Sequence, residues 1–377
     1  MEIYMKVVAA IDSFKGSMTS MEAGNAVKKG ILAAKPDAEV VVNPLADGGE
    51  GTVDALIEGL GAKKIPVTVT GPLGEKVSCY YGFLEETKSA VMEMASAAGI
   101  TLVTKKDPLR ASTYGVGEMI ADALKRGCKN FMIGIGGSAT NDGGIGMLKA
   151  LGFEFFDEDG NDVGEGAAAL AKIEVIRTEN KNPLLSGAKF QIACDVKNPL
   201  CGKQGATYIF GPQKGVTEEQ KEQVDEAMRH YADVTKESLD CDFADCEGAG
   251  AAGGLGYAFL SYLAGELIPG VELILQATGL EEKMKNADVV VTGEGRLDAQ
   301  TVMGKAPAGV AALAKKYNAK VIAFAGSVAS EAKVCNRAGI DAFFPIVRGV
   351  TTLEEAMKKE NAMENIAATA EQVFRLL

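Results

Sequence analysis

Ile3–Ser17 reads IYMKVVAAIDSFKGS and Ala287–Asp298 reads ADVVVTGEGRLD. Each is a short, apolar, β-branched run that stops abruptly at a loop of small, acidic and basic residues. That is the signature of a strand buried on both faces, ending at a polar edge. Working outward, similar runs lie at Glu39–Asn43, Asn130–Ile135, Lys320–Ala325 and Asp341–Ile346. Each is followed by a helical pattern, such as Ser20–Lys35, Gly143–Leu151 and Lys305–Lys316. This alternation predicts an α/β protein with a doubly wound, Rossmann-like parallel sheet.

Two regions break the rhythm. Pro66–Met94 reads as antiparallel strands separated by turns, and residues 152–247 mix short strands with one long charged helix beginning near Thr217. The simplest architecture is a second α+β domain inserted in two segments. The expected division puts residues 1–65, 110–151 and 250–377 in the Rossmann-like domain and 66–109 with 152–249 in the inserted one.

Composition removes several classes of function. The 377-residue chain carries a net charge of −12 and has no basic patch with interleaved aromatics, so nucleic acid is not an expected partner. The longest uncharged run, Gly248–Gly265, is broken by glycines, Ser261 and two tyrosines, and reads as a buried helix rather than a membrane span. The N-terminal run is interrupted by Lys6 and Asp12 and is not a secretory signal. Seven cysteines without C-x-x-C spacing suit a reducing compartment, so a cytoplasmic protein is expected, as monomer or homodimer. With one histidine, His230, Ser-His-Asp triads and multi-histidine metal sites are excluded by counting. His230 itself is expected at the surface.

The 45 glycines cluster beside acidic residues at the predicted strand ends. Four loops stand out: Asp12–Ser17, Asp47–Thr52, Gly136–Gly144 and Gly293–Asp298. On one sheet they would share one edge. Glycines let backbone N–H groups approach an anion, and a following helix N-terminus adds its dipole. Carboxylates next to a phosphate require a divalent cation between them, and Mg²⁺ takes one or two carboxylates plus phosphate oxygens. The combination points to a magnesium nucleotide. No G-x-x-x-x-G-K-[ST] occurs, and the two dinucleotide-like patterns, Gly134-x-Gly136-x-x-Ala139 and Gly248-x-Gly250-x-x-Gly253, lack a tight strand-turn-helix context.

Six ordered motifs carry a resemblance: DSFKGS at 12–17, PLADGGEGT at 44–52, GIGGSATNDGG at 134–144, CDVKNPLCG at 194–202, FGPQKG at 210–215 and VVVTGEGRLDAQT at 289–301. Together they resemble the bacterial glycerate kinases that act in glycerate, glyoxylate and sugar-acid breakdown, over essentially the whole chain. The resemblance implies ATP-dependent phosphorylation of D-glycerate with Mg²⁺, typically to 2-phosphoglycerate, 3-phosphoglycerate being the alternative product.

Phosphoryl transfer needs alignment, charge neutralisation and a carboxylate for the hydroxyl proton. The ATP phosphates are expected against Gly136, Gly137, Ser138, Thr140 and Asn141. Lys15 and Arg296 are the expected partners of the substrate carboxylate, with Ser13 and Asn198 as further substrate contacts. Asp47, Asp195 and Asp298 compete as base and metal ligand. Asp195 is preferred as base because it lies in the other domain, with Asp47, Arg296 and Lys15 as the remaining catalytic candidates. Asp298, Glu294 and Asp142 are the candidate metal ligands. The competing readings are a nicotinamide-dependent oxidoreductase and a non-catalytic hydroxy-acid-binding protein on the same scaffold.

Overall fold

The structure, a computed structural model, describes residues 4–46 and 52–377. Its strands in chain order are β1 (Lys6–Ile11), β2 (Glu39–Pro44), β3 (Lys63–Thr70), β4 (Lys76–Leu84), β5 (Ser89–Glu93), β6 (Asn130–Gly134) and β7 (Glu154–Phe156). There follow β8 (Val175–Arg177), β9 (Lys189–Ala193), β10 (Glu266–Ile268), β11 (Val289–Leu297), β12 (Lys320–Val328) and β13 (Ala342–Pro345). Two compact units result. Unit 1 comprises Met1–Asp47, Asp54–Gly61 and Val271–Leu377, and unit 2 comprises Gly48–Val53 and Ala62–Gly270.

Unit 1 is built on a five-stranded sheet in the order β13-β12-β11-β1-β2, parallel throughout. Counted within the unit this is the 5-4-3-1-2 order of a doubly wound sheet. The chain winds one way from β1 to β2 and the other way from β11 to β13, so winding reverses between β1 and β11. Val7, Ala9 and Ile11 of β1, with Val289 and Val291 of β11, are fully or almost fully buried, which explains their uninterrupted apolar runs. Helix Ser20–Ala34 starts with a capping box in which Glu22 N–H donates to Thr19 Oγ1 and Thr19 N–H to Glu22 Oε2. The buried Ser20 hydroxyl donates to the Ile11 carbonyl (2.7 Å) and accepts from Leu45 N–H (2.8 Å), pinning the ends of β1 and β2 to the start of that helix.

Unit 2 holds a six-stranded sheet in the order β10-β9-β6-β5-β4-β3. The strands expected in 66–94 are present as β3, β4 and β5, paired antiparallel, while β5, β6, β9 and β10 run parallel. Here the expected division needs correction. Residues 110–151 and 250–270 belong to unit 2, because β6 pairs with β5 and β9 rather than with β1 or β11. The buried run β6 looks like any other parallel strand in sequence, and nothing in it encodes which sheet it joins. Consequently the glycine-rich loops occupy two sheets, not one edge of a single sheet.

Gly248–Gly265 forms a short 3-10 turn (Ala251–Gly253) and a helix (Leu255–Leu263) within the core of unit 2. Among the described residues no helix is long and apolar enough to cross a membrane. The long charged helix is Lys221–Leu239, which buries Val224, Met228 and Tyr231 on one face.

In unit 1 the C-terminal helix Lys359–Phe374 packs on Ser20–Ala34, and a Cβ at Gly30 would run into the Ala367 carbonyl oxygen. Gly30→Val is therefore expected to lower the unfolding free energy by about 1–3 kcal/mol or more, measured by urea denaturation. An unchanged midpoint would show that the two helices separate at little cost.

Candidate active site

The loop after β1 and the end of β11 meet where the winding of unit 1 reverses, the position at which doubly wound sheets bind ligands. Asp12 N–H donates to the Gly293 carbonyl (2.9 Å), and the Asp12 carboxylate accepts from Ser13 N–H (2.7 Å). Gly16, at φ 78°, turns the chain back towards the helix that follows. The result is a cavity of about 440 Å³. Ser13, Lys15, Glu294, Arg296 and Asp298 all line it, so five of the expected site residues are brought together. Asp47 lies outside the described residues.

The charged groups are already organised. Arg296 Nε lies 3.5 Å from Asp298 Oδ2, and Lys305 Nζ lies 3.5 Å from Glu294 Oε2. Glu294 is buried and accepts a 2.6 Å hydrogen bond from Thr301 Oγ1; burial pushes its carboxyl pKa up, against the pull of Thr301 and Lys305. Lys305 was not among the expected site residues. The available signal was its place directly after Gly304 and before helix Ala306–Lys315, which puts its amine at a helix start beside the β11 loop. The opposite wall is apolar: Phe14, Ile346 and Val347, with Leu353 and Met357 from the short helix Leu353–Met357. Nothing in those residue types announced a site.

Among the described residues no cluster of three or more His, Cys, Asp or Glu side chains could cage a metal. Mg²⁺ bound with a nucleotide does not need one, since phosphate oxygens and water complete its shell. Asp298, partly exposed in the cavity, fits the role of a single carboxylate ligand. Glu294 is committed to Thr301 and Lys305.

Unit 2 carries a second, smaller cavity of about 230 Å³ at the C-terminal ends of the adjacent strands β6 and β9. Gly136, Gly137 and Ser138 line it from one strand end and Asp195 from the other, with Phe210, Gln213 and Lys214. Asp195 is exposed and accepts a 2.9 Å hydrogen bond from Gly270 N–H, which fixes its carboxylate at the rim. Gly137 has φ 71°, a backbone conformation that favours glycine.

Four expected assignments in this region need correction. Thr140, Asn141 and Asp142 are fully buried, so they are not surface contacts for phosphate or metal. Asp142 instead locks the loop: it accepts from Thr113 N–H and Oγ1 (both 2.8 Å), Gly144 N–H (3.1 Å) and Gly146 N–H (3.3 Å). Burial still holds its pKa above the usual carboxylate range. Asn141 Nδ2 donates to Thr207 Oγ1 (3.0 Å). Asn198 does not line the cavity; its amide donates to the Gln204 carbonyl (2.7 Å) and closes its own loop. His230 lines neither cavity and is half-buried, its Nε2 2.7 Å from the Ile173 carbonyl.

Comparison with known proteins fits this geometry. The glycerate kinase family model matches residues 7–377. The chain belongs to that family. It is 44% identical over 371 residues to a glycerate kinase of Bacillus subtilis (strain 168), covering 98% of this chain and 97% of the relative. It is 45% identical over 372 residues to the glycerate 2-kinase of Escherichia coli (strain K12), covering 97% and 98%. A solved crystal structure of a candidate glycerate kinase 2 from Salmonella typhimurium LT2 matches with a TM-score of 0.91 and 43% identity, over 98% of this chain and 97% of that one. For a family member, the glycine patterns weighed for a dinucleotide have another use. After β6 the next helix starts only at Ile145, and of the 248–253 glycines Gly253 packs against Thr140 and Asn141 while Gly248 and Gly250 pack against the 194–206 segment.

Lys214 gives this loop a measurable signature. Its Nζ is buried, donates to the Thr140 carbonyl (2.6 Å), and burial lowers its pKa to about 7, although Asp142 favours the charged form. In the unfolded chain the same amine keeps its proton up to about 10.5. Between these values the unfolded state binds more protons, so stability rises with pH across that window. Lys214→Met is expected to remove this slope, worth at most about 1.4 kcal/mol per pH unit. Denaturation of both proteins between pH 7 and 9 checks it, and parallel slopes would refute it.

Proposed function

We propose that the protein is an ATP-dependent glycerate kinase that transfers the γ-phosphoryl group of ATP to a hydroxyl of D-glycerate, giving 2-phosphoglycerate and ADP. The observation that carries this reading is the full-length match to the glycerate kinase family. The cavity in unit 1, with Lys15, Arg296, Lys305 and Asp298 at one end, supports it chemically. A new bond forms between the γ-phosphorus and the substrate hydroxyl oxygen while the bond to the β,γ-bridging oxygen breaks, and the hydroxyl proton needs an acceptor. Asp195 is the proposed acceptor: it is exposed at the end of β9, and the hydrogen bond from Gly270 N–H sets its carboxylate at the rim of the strand-end cavity. Lys15, Arg296 and Lys305 offset the negative charge that builds in the transition state.

Mg²⁺, carried with ATP and held by Asp298, would neutralise the phosphate oxygens. The competing readings, hydride transfer or simple ligand binding, leave these cations and the Asp195 carboxylate without a task. We place the enzyme in the cytoplasm with small-molecule substrates, in keeping with its unpaired cysteines.

A coupled ADP-release assay with D-glycerate tests the activity, and phosphorus NMR of the product identifies the acceptor hydroxyl. Asp195→Asn is expected to lower kcat about 100- to 10,000-fold with the KM for ATP little changed. No ADP release with glycerate or other hydroxy acids would overturn the kinase reading, and near-normal kcat in Asp195→Asn would overturn the choice of base.

A further inference from the structure

The strand-end cavities of the two units differ in size and in lining. The cavity of unit 1 is about 440 Å³, within the roughly 300–1,000 Å³ of pockets that bury molecules far larger than a three-carbon acid. It is two-sided. Phe14, Ile346, Val347, Leu353 and Met357 form an apolar wall, while Lys15, Arg296 and Lys305 bring three cationic side chains to the ends of β1 and β11. Glycerate has no apolar part large enough to cover such a wall. A nucleotide has a flat base for one side and a polyphosphate for the other. The end of the wall is also polar: Asn365 lines the cavity with its Oδ1 accepting from Arg348 Nε (3.0 Å), which leaves the amide nitrogen to donate to a ring nitrogen.

The cavity of unit 2 has the opposite character. At about 230 Å³ it is below the usual range for drug-sized ligands. Its cationic side chain is Lys214, buried, bonded to the Thr140 carbonyl and with its charge weakened by burial. A triphosphate would find little compensation there. A small acid would find the strand-end backbone at 136–138, the Ser138 hydroxyl, and the Asp195 carboxylate at the rim. Resting on the kinase reading above, we propose that the unit 1 cavity seats the nucleotide, base against the Leu353–Met357 helix and phosphates over β1 and β11, while the unit 2 cavity seats the hydroxy acid. This reverses the seating suggested by the glycine motif at 134–144. It makes Leu353, Met357 and Asn365 residues of nucleotide recognition, and Gln213 and Ser138 residues of acid recognition.

The test uses the full chain and reads nucleotide binding without turnover, by fluorescence anisotropy of N-methylanthraniloyl-ADP in the absence of glycerate. Leu353 and Met357 sit on a short helix with no buried residues, so the double variant Leu353→Asp, Met357→Asp should fold, which circular dichroism verifies. It is expected to weaken labelled-ADP binding and raise the KM for ATP by about tenfold or more, with the KM for D-glycerate within about twofold. Asn365→Ala is a second, milder probe in the same direction. Gln213→Glu, at an exposed position, is expected to raise the KM for D-glycerate about tenfold and leave labelled-ADP binding unchanged. Unchanged labelled-ADP binding in the double variant, or weakened labelled-ADP binding in Gln213→Glu, would overturn the seating. Failure of glycerate turnover in the wild type would sink the kinase reading instead, and the nucleotide titration would still report the seat.

Discussion

Parallel pairing of β1 with β11 is the constraint on which unit 1 depends. Val7, Val8 and Ala9 stand opposite Val289, Val290 and Val291, and the hydrogen bond from Asp12 N–H to the Gly293 carbonyl extends the pairing one step past the apolar runs. The two strand ends therefore stop at the same height. Asp12–Ser17 and Glu294–Asp298 are brought side by side although most of the chain separates them in sequence. Because winding reverses at this pair, no crossover helix covers the gap between the two loops. A register slip of one residue would shift the two loops by about 3.3 Å relative to one another and mispack valines that are fitted on both faces, so the same apolar burial that stabilises the sheet also fixes the positions of the charged groups.

Unit 2 solves a different problem, that of keeping a glycine-rich loop rigid without side chains to pack. Asp142 takes four donors from Thr113 and from the start of the next helix, and Lys214 ties down the Thr140 carbonyl from the other side. Both ionisable groups are buried at the expense of their usual charge preference. The exchange leaves Gly136–Ser138 as a firm strand-end platform, with the polar locking groups beneath the surface rather than on it.

Much of this was legible in the sequence, and the failures are as physical as the successes. Strands were readable because residues such as Val289–Val291 are buried on both faces, and the antiparallel strands of 63–93 because turns punctuate them. That Lys15, Glu294, Arg296 and Asp298 would gather at strand ends was readable because charged residues directly after a buried strand have few structural uses, and Ser13 lines the same cavity with them. Sheet membership of β6 was not readable, since a parallel strand carries no mark of its neighbours. Nor was the burial of Thr140, Asn141 and Asp142: polar residues that lock a loop and polar residues that bind a ligand have the same composition. Leu353 and Met357 escaped notice because apolar residues on a short helix look like core.

The order of segments along the chain has a consequence for how the protein is made. Unit 1 contributes β1 and β2 first and completes its sheet with β11, β12 and β13 only after unit 2 has been synthesised. At roughly 5–20 residues per second, translation leaves the apolar flank of β1 without its partner for about ten seconds or more. Unit 2 can condense during that interval from contiguous sequence, whereas unit 1 must wait for contacts of very long sequence separation, which fold slowly. Nascent chains stalled before residue 289 would thus present an open, fully apolar strand edge, the kind of surface that chaperones bind and that pairs with other chains when they do not.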